Sequence, residues 1–366
     1  MLLSIKDIRL ALSKGTTVVE IVQRYLQAIE AQSTLNAFVE VFAEEALAEA
    51  ERIQNKVSQG TAGRLAGVVI GIKDNLCYQG HKVSASSKIL APFEALFTAT
   101  ALKRLLDEDA IVVGRLNCDE FAMGSSNEKS CYGPVLNNHD QSYVPGGSSG
   151  GSAVAVSAGL CTAALGSDTG GSIRQPASWT GTFGLKPSYG RISRSGLLAY
   201  ASSFDQIGTF TNTLEDAICL YEIMAGRDPL DATTTSIPVE IHGDLDRPLT
   251  LGILSEYIHH DGIDPGIKQK LDALLTKLKE AGITLKTLDF PYMDYIVPAY
   301  YVLTTAEASS NLARYDGVHY GFRSADAEGV DGTYIKTRTD GFGEEVSRIS
   351  ACGKANPRNV NYDFAL

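Results

Sequence analysis

Apolar positions follow helical or strand spacing along most of the chain and predict alternating helices and strands. Residues 21–31 have the spacing of an amphipathic helix, and Thr17 with Glu20 forms a capping-box pattern just before it. Residues 65–72 form a continuous apolar run, which is typical of a buried strand, and Lys73 stands at its end. A lysine in that place is exposed unless other groups hold it.

The same alternation continues through the rest of the chain. Further helices are predicted over residues 42–58, 99–107, 213–224 and 295–312, further strands over 110–114 and 183–185, and a β-α-β unit over 249–254, 265–281 and 283–288. This order favours an α/β fold, and because no repeat or linker interrupts it we expect one domain over residues 1–349. Residues 350–366 show neither period, so we expect an unrelated, unpacked tail.

Two clusters of glycine and serine interrupt this pattern. The first cluster, residues 146–152, reads GGSSGGS, and the second cluster, residues 166–172, reads GSDTGGS. Between them, residues 153–165 are small and apolar on every side, which predicts a helix packed all round. Most such clusters are flexible loops, but these two flank a buried segment, and glycine leaves backbone N–H groups uncovered.

Composition narrows the range of functions. The chain of 366 residues has 32 Lys and Arg against 43 Asp and Glu, a net charge of −11, and no basic cluster, which argues against direct, tight nucleic-acid binding. Its six cysteines and six histidines lack the spacings of a zinc site or a disulfide framework, so we expect no metal. An apolar run long enough for a membrane and a signal-peptide pattern are both missing, so we expect a cytoplasmic protein.

The serines and the lysine could together perform acyl transfer. A serine hydroxyl becomes a nucleophile when a neighbour accepts its proton, and Lys73 could accept one if burial keeps its amine neutral. In the second cluster, the backbone N–H groups of Thr169, Gly170, Gly171 and Ser172 could stabilise a developing oxyanion. Such an arrangement suits attack on an amide or ester.

Three other interpretations compete with this one. Gly146, Ser148 and Gly150 match the nucleophile elbow of α/β-hydrolases, but a loop precedes them where that motif requires a strand. A phosphate-binding loop would need a lysine directly after the glycines, and neither cluster has one. A purely structural bend explains one cluster but not two, and it gives Asp168 and Arg174 no role.

The two clusters, with Ser172 placed 24 residues after Ser148, and the stretch GIKD at residues 71–74 resemble the amidase signature family. This resemblance implies a central mixed β-sheet enclosed by α-helices. It also implies a triad in which Ser172 attacks the amide carbon, Ser148 relays the proton next to a non-proline cis peptide, and Lys73 is the terminal base. Ser149, Asp168 and Arg174 would support the site.

Within that family, the fuller resemblance is to the A subunits of glutamyl-tRNA(Gln) amidotransferases. It rests on four further stretches: FAMGSSNE at 121–128, GLKPSYGR at 184–191, EASSNLARYDG at 307–317 and GFGEEV at 341–346. It implies hydrolysis of glutamine to supply ammonia, within a heterotrimer that has B and C subunits. ATP and Mg would be used mainly in a partner subunit, Glu-tRNA(Gln) would bind through the complex, and this chain would hold no cofactor.

Two alternatives stay open: a free-standing amidase on small amides, and a catalytically impaired scaffold subunit. The resemblance fades after residue 349, where the family usually continues with a basic pair and a further portion that helps to hold glutamine. We therefore expect a truncated or frame-shifted product with weakened glutamine binding.

Overall fold

A six-stranded mixed β-sheet organises the larger part of the structure, a computed structural model that describes residues 4–241 and 248–355. Its strands are β1 (Phe38–Val41), β2 (Val69–Lys73), β3 (Ile111–Leu116), β4 (Ala163–Asp168), β5 (Phe183–Leu185) and β6 (Gln206–Thr211). Their order across the sheet is β1-β3-β2-β4-β6-β5. Strand β2 runs parallel to β3 and β4, whereas the outer pairings are antiparallel.

Helices flank this sheet, as predicted for the α/β class. In chain order the helices of the structure are α1 (Ile5–Ser13), α2 (Val18–Ala31), α3 (Ala43–Gln59), α4 (Thr100–Asp107), α5 (Gly150–Ser157), α6 (Arg174–Thr180), α7 (Leu214–Met224), α8 (Ser255–Ile258), α9 (Pro265–Glu280), α10 (Met293–Asn311), α11 (Gly329–Gly341) and α12 (Glu344–Ala355). Helix α3 packs on β3, α5 on β4 and α7 on β6. The predicted capping box of Thr17 and Glu20 is confirmed at the start of α2.

The segment between the two clusters differs from its prediction. Helix α5 ends at Ser157, and Gly159, with φ of +70°, lies in the turn that follows it. Residues 163–165, predicted as the end of a helix, begin β4 instead, because they pair with both β2 and β6. Small apolar residues fit a buried helix and a buried strand equally well, so their pattern could not separate the two. The prediction of a packed environment is confirmed for both elements, whose residues are almost all buried.

The chain forms two compact units. The first takes in the described residues of the ranges 1–238 and 302–366, and it holds the six-stranded sheet. The second, residues 239–301, contains the parallel pair β7 (Thr250–Ile253) and β8 (Thr284–Thr287) joined through α9, which confirms the predicted β-α-β unit. We predicted one domain over residues 1–349, and the structure divides that range between these two units.

The start of the predicted tail is helical. Helix α12 continues to Ala355, so the prediction of an irregular chain from residue 350 is wrong for residues 350–355. Part of the helix is well packed, since Val346 is fully buried and Ile349 is buried as well. Residues 356–366 lie outside the described residues.

Candidate active site

Lys73 lies at the centre of the candidate site. Parallel strands share one carboxyl edge, so the ends of β2 and β4 bring Lys73 close to Ser167. The Lys73 side chain is fully buried, and its Nζ lies 2.7 Å from the Ser148 Oγ, 2.9 Å from the Ser149 Oγ and 3.0 Å from the Ser167 Oγ. Three hydroxyls therefore surround one amine.

The surroundings of Lys73 favour its neutral amine. Burial lowers the pKa of Lys73, and this effect is opposed by the more distant Cys118, Asp119, Asp168 and Asp205. None of these groups forms an ion pair or a hydrogen bond with the Lys73 Nζ within residues 4–241 and 248–355. The structure thus meets the condition that a lysine base requires, namely desolvation without a directly paired carboxylate.

The first cluster holds Ser148 rigidly. The peptide bond between Gly147 and Ser148 is cis, and the Ser148 carbonyl accepts a hydrogen bond of 3.1 Å from the Asp119 N–H. With its amide oriented to satisfy its neighbours, Gln175 donates to the carbonyls of Gly147 at 2.9 Å and Ser125 at 3.0 Å. A methyl group at Gly147 would overlap the Asp119 carboxylate, so this position requires glycine.

Asp168 shapes the second cluster. One carboxylate oxygen accepts the Gly171 N–H at 2.8 Å and the Arg174 Nη2 at 2.9 Å, and the other accepts the Ile173 N–H at 3.0 Å. Burial raises the pKa of Asp168, but hydrogen bonds from the Arg174 side chain and the Ile173 amide outweigh it and lower the pKa overall. The ionised carboxylate therefore folds residues 171–174 around itself.

Ser172 lies on this folded segment with its hydroxyl available. The residue is 8% exposed, whereas Ser148 is fully buried. The Ser172 carbonyl accepts the Ser149 N–H at 3.2 Å, which ties the second cluster to the first. Its hydroxyl makes no hydrogen bond to any residue that the structure describes. The serine is thus held by its backbone and free at its Oγ.

The structure corrects one of the predicted oxyanion donors. The Gly171 N–H is already bonded to Asp168, so its prediction as a free donor is wrong. By contrast, the N–H groups of Thr169, Gly170 and Ser172 have no partner among the described residues. These three amides can still meet a developing negative charge.

Some residues of the site were missed from the sequence. Ser167 was noted only as a member of the second cluster, and Asn75, whose Nδ2 donates to the Ser167 Oγ at 2.9 Å, was not singled out. Asp119 and Gln175, which hold the cis peptide, were missed as well. Recognising residues 163–168 as a strand parallel to β2 would have pointed to Ser167, because it would then have faced Lys73.

The predicted supporting residues contact the site directly. The Ser149 Oγ accepts from Lys73 and donates to the Ser167 carbonyl at 3.1 Å. Arg174 pairs with Asp168, and 54% of its side chain is exposed. In the described part of the chain, no group of three His, Cys, Asp or Glu side chains is placed to hold a metal ion. Nor does any described helix combine the length and apolarity needed to cross a membrane.

Comparison with known proteins agrees with this geometry. The family model described as Amidase matches residues 20–365. The glutamyl-tRNA(Gln) amidotransferase A subunit from Chlorobium phaeobacteroides is 46% identical, with 94% of this chain and 74% of the relative covered. The protein of the same name from Salinibacter ruber is 45% identical, with coverages of 93% and 75%.

Solved structures show the same similarity. The crystal structure of the glutamyl-tRNA(Gln) amidotransferase A subunit from Thermotoga maritima superposes on this chain with a TM-score of 0.76 at 35% identity. The match covers 98% of this chain and 72% of the Thermotoga maritima chain. A crystal structure described as an amidase gives a TM-score of 0.80 at 29% identity, with coverages of 96% and 73%. The chain therefore belongs to the amidase family, and it is an enzyme of the amidase or glutamine-hydrolysing amidotransferase type.

Proposed function

We propose that this chain is the glutaminase subunit of a glutamyl-tRNA(Gln) amidotransferase and hydrolyses glutamine through Ser172, Ser148 and Lys73. The observation that carries the proposal is the contact of 2.7 Å between the Lys73 Nζ and the Ser148 Oγ, two fully buried side chains. The names of the relatives support the role of an amidotransferase A subunit, and glutamine as the amide donor is part of the proposal.

The proposed reaction begins at Ser172. Its Oγ attacks the side-chain amide carbon of glutamine while its proton passes to Ser148, whose own proton moves to the neutral Lys73 amine. The oxyanion that forms faces the N–H groups of Thr169, Gly170 and Ser172. The proton then returns from Lys73 through Ser148 to the departing nitrogen, and ammonia leaves a glutamyl ester on Ser172. Water attacks this ester by the same proton route and releases glutamate.

The remaining steps would belong to partner subunits. In this proposal the chain assembles with B and C subunits as a heterotrimer, in which ATP and Mg are used mainly by a partner and Glu-tRNA(Gln) binds through the complex. The net charge of −11 supports this division, because a phosphate backbone requires basic side chains. The cytoplasm stays the predicted location.

A free-standing amidase on small amides is the second candidate. It is favoured by the TM-score of 0.80 with a structure described only as an amidase. The impaired-scaffold alternative receives no support from the site, where a buried lysine contacts three serine hydroxyls. Comparing the rates of ammonia release from glutamine and from propionamide, with and without partner subunits, separates the two enzymatic candidates.

The test of the nucleophile is a pair of variants. Ser172→Ala should abolish both ammonia release from glutamine and covalent labelling by a fluorophosphonate, because only the attacking hydroxyl is removed. Ser148→Ala retains that hydroxyl, so its labelling should be slow but located on Ser172 by mass spectrometry. Turnover by a folded Ser172→Ala protein, or label on Ser148 in the wild type, would refute the assignment.

A further inference from the structure

The proposed triad leaves one contact of Lys73 without a role. Ser167 lies in β4, only 2% exposed, with its Oγ 3.0 Å from the Lys73 Nζ. On its other side, Asn75, which is 1% exposed, donates its Nδ2 to the same oxygen at 2.9 Å. Asn75 follows β2 by two residues, so both partners of Ser167 come from one short stretch of chain.

The protonation state of Lys73 decides whether it needs the Ser167 Oγ as a third acceptor. A neutral lysine amine has two N–H groups and one lone pair, whereas the ammonium form has three N–H groups and needs three acceptors. The Ser149 hydroxyl proton is donated to the Ser167 carbonyl, so the Ser149 oxygen is left to accept from Lys73. Once Ser148 has given up its proton to Lys73, the oxygens of Ser148, Ser149 and Ser167 complete a set of three acceptors around the ammonium.

We propose, on the basis of the mechanism proposed above, that Ser167 is a positioning residue for the base. Together with Asn75 it holds an acceptor against the Lys73 amine, so the lone pair of that amine faces Ser148, and it stabilises the ammonium that forms after proton transfer. Ser167 does not itself exchange a proton with the substrate.

Four other titratable groups act on Lys73 from a distance. Cys118 and Asp119 follow β3, Asp168 ends β4, and Asp205 precedes β6; all four favour the ammonium form. Because these groups are unchanged in variants of Ser167, a displaced pH profile in those variants reports the local hydrogen bonds, whereas Asn75→Asp also adds a charge. The proposal predicts that the acidic limb of the pH profile moves in opposite directions in Ser167→Ala and Asn75→Asp.

Removing the third acceptor should weaken Lys73 as a base. In Ser167→Ala the ammonium loses one hydrogen bond, so the acidic limb of kcat/KM should move to lower pH by about one unit, since hydrogen bonds to charged groups are worth more than neutral ones. Below that limb the lysine is protonated and inactive, so a lowered pKa extends activity toward acid. At the plateau kcat should fall by about tenfold with KM unchanged, because Ser167 is buried behind the lysine.

Asn75→Asp should have the opposite effect. A carboxylate at that position would accept a hydrogen bond from the Ser167 hydroxyl and add negative charge near the lysine. It therefore stabilises the ammonium form and moves the acidic limb of the pH profile to higher pH. Ser167→Thr keeps the hydroxyl and should retain the wild-type limb. Ser152→Ala is the matched control, since it removes an equally buried serine hydroxyl that donates to the Leu165 carbonyl and does not touch Lys73.

The experiment measures two rates from pH 5 to 10 on the full chain: labelling of Ser172 by a fluorophosphonate, and ammonia release from glutamine. The proposal is supported if the acidic limb of the pH–rate profile moves to lower pH in Ser167→Ala and to higher pH in Asn75→Asp. An unmoved limb in a folded Ser167→Ala protein, or equal displacement in Ser152→Ala, overturns it. If Ser167→Ala fails to fold, Asn75→Ala decides, because it removes the donor that holds the Ser167 Oγ and should move the acidic limb to lower pH without changing the charge. Labelling of the wild type at a rate independent of pH would instead refute Lys73 as the base. Labelling of Lys73→Arg at the wild-type rate would refute it as well.

Discussion

The two glycine–serine clusters have nearly the same composition, but individual positions within them require glycine for different reasons. In the first cluster a methyl group would meet protein atoms: at Gly150 it would lie 2.6 Å from the Asn127 Oδ1, and at Gly151 it would overlap the Asn117 carbonyl. In the second cluster a methyl group on Gly171 would meet nothing within 4 Å, but the residue has φ of +140°. Space therefore selects glycine at positions 150 and 151, and backbone conformation selects it at position 171.

This difference matches the two proposed tasks. A proton relay works best when it is immobile and dry, and the first cluster buries Ser148 completely between Asp119 and Lys73. A nucleophile must be reached by substrate, and residues 169–172 of the second cluster form a short loop held from one side by Asp168, with Ser172 8% exposed. Close packing therefore serves the relay, and a single carboxylate serves the nucleophile.

The largest expected effect is on the second cluster. Asp168→Ala removes the acceptor for the Gly171 and Ile173 amides and for Arg174, so the loop should lose its shape and turnover should fall by about 1,000-fold, as when oxyanion-hole geometry is lost. Asp168→Asn retains one accepting oxygen, so its turnover rate should lie between those of Asp168→Ala and the wild type. Ammonia release from glutamine measures both, and an Asp168→Ala protein with a tenth of wild-type activity would contradict the role given to this carboxylate.

A smaller effect, on stability, separates the clusters directly. Gly151→Ala should reduce the free energy of unfolding by about 3 kcal/mol, because its methyl group would also lie 2.7 Å from the Ala37 carbonyl. Gly171→Ala should cost about 1 kcal/mol, since only backbone strain opposes it. Urea unfolding of both proteins measures the two losses. Equal losses would mean that steric overlap at Gly151 and backbone strain at Gly171 do not differ in their cost.

The last prediction concerns pH and the outer side of the second cluster. Asp205 accepts the Thr169 hydroxyl at 2.6 Å, and burial raises the pKa of Asp205 to about 6. A folded-state pKa above that of the unfolded chain means that the protonated carboxyl stabilises the fold, fully below about pH 4, and that this contribution is lost as pH rises through 6.

Between pH 4 and pH 7 the wild type should therefore lose at most about 3 kcal/mol of stability relative to Asp205→Asn. Urea unfolding at several pH values measures the difference, and the comparison of the two proteins cancels the titration of all other groups. A constant difference across this range would show that Asp205 keeps an ordinary pKa.

Periodicity predicted most helices because an amphipathic helix carries its own spacing, as in α2, α9 and the segment that forms α10. It missed β1 and β6, which become strands through pairing with β3 and β4. The division of residues 153–165 between α5 and β4 was likewise decided by partners distant in sequence. Strand pairing is a tertiary property, so local patterns report it poorly.

The sequence by itself determined the chemistry available here: serines among glycines that leave amides bare, a lysine at the end of an apolar strand, and Asp168 six residues before Arg174. Only the tertiary structure decided how these groups meet. It placed Ser167 against the lysine and Asn75 against Ser167, and it bonded the Gly171 amide to Asp168. It also left the Ser172 hydroxyl without a partner among the described residues. The reason is geometric, since the parallel pairing of β2 with β4 brings together residues that lie 94 positions apart in the chain.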